Sequence, residues 1–246
     1  MKKCYLNKNY MLKAGVKMKD LQKAYLSVPS LDQTKPGETT YMMGNPDGSP
    51  RIIVVGNSIT YHPPKAEVMW EHNWGMAASC AENDYVHRLY AKVKEIHPDA
   101  AFCVCQAAKW ERNLHDINYN EEFQGISDYA PDIVIFLIGA NMPPSTYTHD
   151  SLKQAFGNFV DFLTTSNKDA KVIMTTGFYD NPTRRASIVE FANENGYPIV
   201  ETHHLSHDEA NHAIGLFEHP GVEHHPGDLG MERIADTIWE TLKTLL

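Results

Sequence analysis

Ile52-Ile53-Val54-Val55-Gly56-Asn57-Ser58-Ile59-Thr60 is the stretch on which the fold turns. Four β-branched residues in a row read as a strand that is apolar on both faces, as strands inside a parallel sheet are. The glycine after them allows a tight turn that a side chain would hinder. A serine at the carboxyl end of such a strand stands where backbone N–H groups converge at the start of the next element. Taken alone, Ser58 is equally an ordinary turn serine or a helix cap.

Working outward, the chain keeps alternating strand and helix patterns. Val86, Leu89, Val93 and Ile96 recur at helical spacing, and Phe102-Cys103-Val104-Cys105 reads as a second strand. Ile133-Val134-Ile135-Phe136-Leu137-Ile138 is a third strand, followed by a helix stripe of Leu152, Phe156, Phe159 and Leu163. Val172-Ile173-Met174 is a fourth strand. Asn181-Pro182 supplies a cap and a first-turn proline, and Gly196 a helix stop. Ile199-Val200 is a short fifth strand. A last helix from about Asp228 carries Ile234, Ile238, Leu242 and Leu245 on one face. The expected fold class is α/β: a flavodoxin-like three-layer α/β/α sandwich with a five-stranded parallel sheet. Right-handed crossovers then place the functional loops at the carboxyl ends of the strands.

Residues 1–50 differ from the rest. They hold a helix pattern over Met11–Tyr25, a polar stretch, and a turn at Asn45-Pro46-Asp47-Gly48 that joins a strand at Thr40–Met43 to the strand from Arg51. They read as an N-terminal extension packed on a main domain of residues 51–246. The length of 246 residues suits one large domain. A net charge of −9 speaks against capture of nucleic acid or anionic membrane by charge. No apolar run approaches the roughly 18 residues of a membrane-spanning helix. The basic N-terminus lacks the continuous apolar core of a secretion signal, so a cytoplasmic location is expected. Cys103 and Cys105 read as buried free thiols on one face of a strand.

Two further segments carry chemistry. Gly139-Ala140-Asn141 follows the third strand, where an asparagine NH₂ can donate to a developing oxyanion; read alone, it is also a turn asparagine. His224-His225-Pro226-Gly227-Asp228-Leu229-Gly230-Met231 leads into the last helix. A histidine there lies on the same rim as Ser58, with a pKa suited to a general base. Among 13 histidines, one alone is weak evidence.

Together the three segments resemble the SGNH (GDSL-like) hydrolases over about residues 51–246. Gly56-Asn57-Ser58-Ile59-Thr60 is similar to the family's first block, whose common form has Asp before Ser. Gly139-Ala140-Asn141 resembles the third block, and His225-Pro226 with Gly230 and the following helix resembles the last. The resemblance implies a serine esterase acting on a small-molecule ester. Ser58 would be the nucleophile, His225 the general base, and Asn141 with the Ser58 N–H the oxyanion donors. A small acyl group such as acetyl, carried on a sugar, fits this reading. It calls for no cofactor, no metal, no nucleic acid and no membrane, and says nothing of oligomeric state.

Two positions depart from the pattern. The family's last block has Asp three residues before the His, and Val222 stands there. Glu223, Glu218 and Asp208 are candidates for a displaced acid; a backbone carbonyl near Val222, giving a Ser–His dyad, is the other reading. The second block's glycine, whose N–H joins the oxyanion hole, is missing from Ala107-Ala108-Lys109-Trp110-Glu111-Arg112. Trp110, Trp70 and Trp74 are candidates to wall the pocket or stack on a sugar. They serve equally as loop anchors. Glu111-Arg112 are read as fixing the loop through polar contacts.

Three rival readings stand against this one. The α/β-hydrolase elbow needs Gly-x-Ser-x-Gly, and residue 60 is Thr. A metal-dependent hydrolase has ligand types at Glu201, His203, His204, His207 and Asp208, and again at Glu218, His219, Glu223, His224 and His225, but lacks H-E-x-x-H. A catalytically degenerate chain that only binds a glycan or partner is the third, since the missing Asp fits it too.

Overall fold

The structure is a computed structural model and describes residues 40–45, 48–123 and 125–246. The helix expected over Met11–Tyr25 lies outside the described residues. The first strand, β1 (Thr40–Gly44), is followed by β2 (Arg51–Gly56) and, after a long connection, by helix α1 (Tyr85–Ile96). Then come β3 (Ala101–Gln106), two short helices, α2 (Ala108–Arg112) and α3 (Tyr119–Glu122), and β4 (Ile133–Leu137). α4 (His149–Leu163), β5 (Lys171–Thr175), α5 (Pro182–Asn195) and the two-residue β6 (Ile199–Val200) follow. α6 (Pro220–Glu223) and α7 (Asp228–Leu242) close the chain.

The sheet order is β1-β3-β2-β4-β5-β6. The pairs from β3 to β6 are all parallel, as expected of five alternating strands. The sheet nevertheless has six strands. β1 pairs antiparallel with β3 and covers what would have been an open edge. The alternation Tyr41, Met42, Met43 explains its place: Tyr41 and Met43 enter one core layer and Met42 the other. The Gly48 N–H donates to the Asn45 carbonyl at 3.0 Å, closing the turn between β1 and β2.

β2 faces a core on both sides. Ile52 and Val54 pack in the layer with Val86, Leu89 and Val93 of α1 and Ile234, Ile238 and Leu242 of α7. Ile53 and Val55 pack in the layer with Phe156, Phe159 and Leu163 of α4 and Ile188 and Phe191 of α5. Each fully buried side chain of this size stabilises the fold by about 1.5–3 kcal/mol. Caps fix where the helices start. Asp84 accepts from the His87 N–H at the head of α1, Thr148 and Ser151 form a reciprocal capping box on α4, and Asn181 accepts from the Arg184 N–H before Pro182. Ile96, expected on the apolar stripe of α1, is exposed, and Leu245 lies beyond the end of α7. Cys103 and Cys105 are buried free thiols on one face of β3; burial pushes the Cys103 thiol up to about 12.

β2 lies between β3 and β4, and the chain leaves it in one direction for β3 and crosses back for β4. That is the switch point of the sheet, where a crevice opens beyond the carboxyl ends. The register sets Gly56 level with Gln106 of β3 and Leu137 of β4, so three loops leave the sheet side by side. The approach at Gly56 is close. A Cβ there would stand 1.6 Å from Thr60 Oγ1 and 2.8 Å from the Leu137 carbonyl oxygen. Gly56→Ala is expected to destabilise the protein by about 1–3 kcal/mol through overpacking. A denaturant midpoint equal to that of the parent would show that the turn is not held against β4.

Candidate active site

The turn after β2 is built around Asn57, which is 1% exposed. Its carbonyl accepts from the N–H groups of Thr60 (2.9 Å) and Tyr61 (3.0 Å), and its side-chain oxygen accepts from Ile59 N–H at 3.1 Å. Thr60 Oγ1 bonds the Tyr85 hydroxyl at 2.6 Å, tying the turn to α1. The Ser58 carbonyl accepts from Met76 N–H at 2.8 Å. None of these bonds uses the Ser58 hydroxyl or its N–H. The side chain of Ser58 therefore stands on a turn fixed from three sides.

Ser58 Oγ lies 2.7 Å from His225 Nε2. The two residues are 167 positions apart, so the contact is made by the fold. His225 is held through its backbone: its N–H donates to the Val222 carbonyl and its carbonyl accepts from Ala213 N–H, both at 2.9 Å. Gly227 N–H adds a bond to the Asn211 carbonyl at 3.0 Å. Among the described residues no group hydrogen-bonds Nδ1, which is buried. The carbonyls of Gly221 and Val222 face the ring and favour its protonated form without reaching hydrogen-bond geometry at Nδ1. Burial, helped by the neighbouring His62 and His212, outweighs them and pushes the imidazole down to about 4. The ring is thus neutral near pH 7, and with its proton on Nδ1 the Nε2 accepts from the Ser58 hydroxyl.

Asn141 follows β4. Its amide oxygen accepts from Arg112 Nη2 at 3.0 Å, and its NH₂ donates to Glu111 Oε2 at 2.5 Å. One N–H of the amide is left over, because the group carries two. Glu111 is fully buried. Besides Asn141 it accepts from Asn57 Nδ2 at 3.1 Å and from the Gly139 N–H. It therefore joins α2 to the turn bearing Ser58 and to the loop bearing Asn141. Burial pushes its carboxyl above the ordinary range even though the N–H groups of Asn141, Asn57 and Gly139 pull the other way. On the other side of Gly139, buried Arg184 of α5 donates to the Gly139 carbonyl at 2.8 Å. Gly139 has φ +124°, and a Cβ there would meet Arg184 Nε at 2.5 Å, so only glycine fits between the two charges.

The geometry brings Ser58, His225 and Asn141 to one rim. It places the other sequence candidates elsewhere. Glu223 accepts from Gly215 N–H at 3.0 Å, Glu218 is exposed, and Asp208 pairs with Arg233 at 2.8 Å. None of the three hydrogen-bonds His225 Nδ1. Trp70, Trp74 and Trp110 are 1%, 6% and 0% exposed, so none offers an open ring face. Trp70 donates to the His62 carbonyl at 3.0 Å and Trp74 to the Ala78 carbonyl at 2.8 Å, anchoring the long segment after Ser58. Trp110 lies in the opposite core layer against Phe156 and Phe159. The exposed ring of this region is His72, stacked on Trp74 at 4.2 Å. In the segment expected to replace the missing glycine, Ala107 N–H is taken by the Gly56 carbonyl and Ala108 N–H by Gln106 Oε1. Among the described residues no three His, Cys, Asp or Glu side chains come together as metal ligands, and no helix is long and apolar enough to cross a membrane. The bracketing of Gly139 by Glu111 and Arg184 has no signature in the sequence, although Glu111 and Arg112 do fix their loop through polar contacts as expected.

The chain matches no family model, and no curated protein matches it by sequence. Solved structures do resemble it. TesA aligns at 17% identity with a TM-score of 0.51, over 80% of this chain and 99% of that one. A family two carbohydrate esterase from Cellvibrio japonicus aligns at 17% identity with a TM-score of 0.54, over 80% of this chain but only 62% of that one. The psychrotrophic esterase EstA from Pseudoalteromonas sp. aligns at 12% identity with a TM-score of 0.53, over 80% of this chain and 98% of that one. With the switch-point crevice and the sheet order, these likenesses give the chain the three-layer α/β/α fold of these solved structures.

Proposed function

We propose that the protein is a serine-dependent carboxylic ester hydrolase with Ser58 as nucleophile and His225 as general base. The observation that carries this reading is the 2.7 Å contact between Ser58 Oγ and a buried, neutral His225 Nε2 at the sheet's switch point. Ser58 Oγ attacks the ester carbonyl carbon as its proton passes to Nε2. The carbonyl oxygen becomes an oxyanion, held by the remaining N–H of Asn141 and by the Ser58 N–H. Collapse breaks the bond to the alcohol, which leaves with the proton from Nε2. Water then attacks the acyl-enzyme, gives its proton to Nε2, and releases the acid and free Ser58.

No carboxylate takes part in orienting His225 in this scheme. The carbonyls of Gly221 and Val222 favour the Nδ1–H tautomer, which makes the machinery a Ser–His dyad. We assign the substrate to small acyl esters, acetyl included, carried on a carbohydrate. The support is the carbohydrate esterase among the fold neighbours and the exposed, Trp-backed ring of His72 on the segment after Ser58.

Turnover of p-nitrophenyl acetate is expected to fall about 10⁴-fold or more in Ser58→Ala. It is expected to fall comparably in His225→Ala, with no further loss in the double variant. A Ser58→Ala protein as active as the parent would remove the serine from the reaction. The pH profile gives an independent check. The base works only when neutral, so kcat/KM is expected to fall as pH drops through about 4 and to be flat from there toward neutrality. A limb at or above the ordinary histidine value near 6.5 would mean that His225 is solvated or paired with a carboxylate.

A further inference from the structure

We propose that Glu111 and Arg112 are positioning residues that aim Asn141 at the oxyanion, a role that rests on the hydrolase reading above. They are consecutive in α2 and grip opposite ends of the Asn141 amide: the guanidinium of Arg112 donates to Oδ1, and the carboxylate of Glu111 accepts from Nδ2. A primary amide held at both ends cannot rotate about its last bond. Its second N–H is then committed to one direction, which the proposal assigns to the oxyanion. The same two bonds polarise the amide along one line, which strengthens the remaining N–H as a donor.

Two observations separate this from ordinary loop packing. Glu111 reaches the nucleophile turn and the donor loop with the same carboxylate, through Asn57 and Gly139, so it sets the distance between them. It does so at a cost to the fold. Its carboxyl titrates above the usual range, so the charged form it adopts as pH rises through that raised value makes folding less favourable. A side chain serving only stability would gain by being neutral or apolar here. The need for an aimed amide is also greater in this chain than a generic site would require, because the first two N–H groups after β3 are already engaged.

The test is a pair of double-variant cycles in the full chain, with p-nitrophenyl acetate as substrate. Glu111→Gln presents an NH₂ to groups that are themselves donors. It is expected to lower kcat about a hundredfold, the scale of losing one oxyanion donor, with KM within about threefold of the parent on this minimal substrate. Asn141→Ala is expected to lower kcat by a similar factor. Combining the two is expected to give no loss beyond that of Asn141→Ala, because both remove the same N–H. Arg112→Ala, an exposed site that leaves the fold intact, is expected to lose about tenfold through loss of one charge-assisted bond, and again nothing further on top of Asn141→Ala. Losses that multiply in these cycles, or a Glu111→Gln protein with parental kcat, overturn the clamp. If Glu111→Gln does not fold, the Arg112 cycle decides by the same rule. Parental protein without turnover overturns the hydrolase reading and the clamp with it. Parental turnover with multiplying losses overturns the clamp alone.

Discussion

The peptide of Gly139 is held between two buried charges of opposite sign. Glu111 accepts its N–H from one side, and Arg184 donates to its carbonyl from the other. Neither charge touches the other, yet Glu111 lowers the cost of burying Arg184, and the backbone between them adopts a positive φ that glycine takes without strain. Because Glu111 also holds Asn57, this arrangement fixes the distance between the loops after β2 and β4. Those loops leave the sheet at the one point where its strand order reverses. The crevice supplied by topology is thereby narrowed to a rim of defined width.

The histidine arrives by a different route. α6 and the segment around Asn211 and Ala213 grip the backbone of His225 on both sides, so the ring is placed, among the described residues, without a side-chain partner at Nδ1. A buried imidazole with carbonyl dipoles nearby and no carboxylate stays neutral over a wide pH range. In the proposed reaction it then forms an imidazolium stabilised by dipoles alone. This trades some stabilisation of the charged intermediate for a base that is ready well into acid.

The sequence and the structure agree where the signal was periodic or local. The β-branched runs at 52–55 and 133–138, the Asn181-Pro182 cap and the stripe of Phe156 and Phe159 all carry their meaning in adjacent residues. The serine, asparagine and histidine stood out because each sits at a strand end or before the last helix. Three features were not legible. The strand at Thr40–Met43 was expected, but its antiparallel pairing with β3, some 60 residues on, is encoded by no local pattern. The tryptophans read equally as a sugar platform or as loop anchors, because ring type is visible in a sequence and burial is not. The role of Glu111 is the clearest case. A lone glutamate after a strand gives no hint that Asn57, Gly139 and Asn141, brought in from two other loops, will all donate to it.

The central claim, that Ser58 is activated as a nucleophile by the fold, is tested most directly by covalent trapping and peptide mapping. A fluorophosphonate reacts only with a serine whose proton can be taken and whose oxyanion is held. After incubation and proteolysis, the account predicts one phosphonyl adduct, on Ser58, and none on the other serines. An adduct on a different residue, or an unmodified protein under conditions that label a known serine esterase, would contradict it.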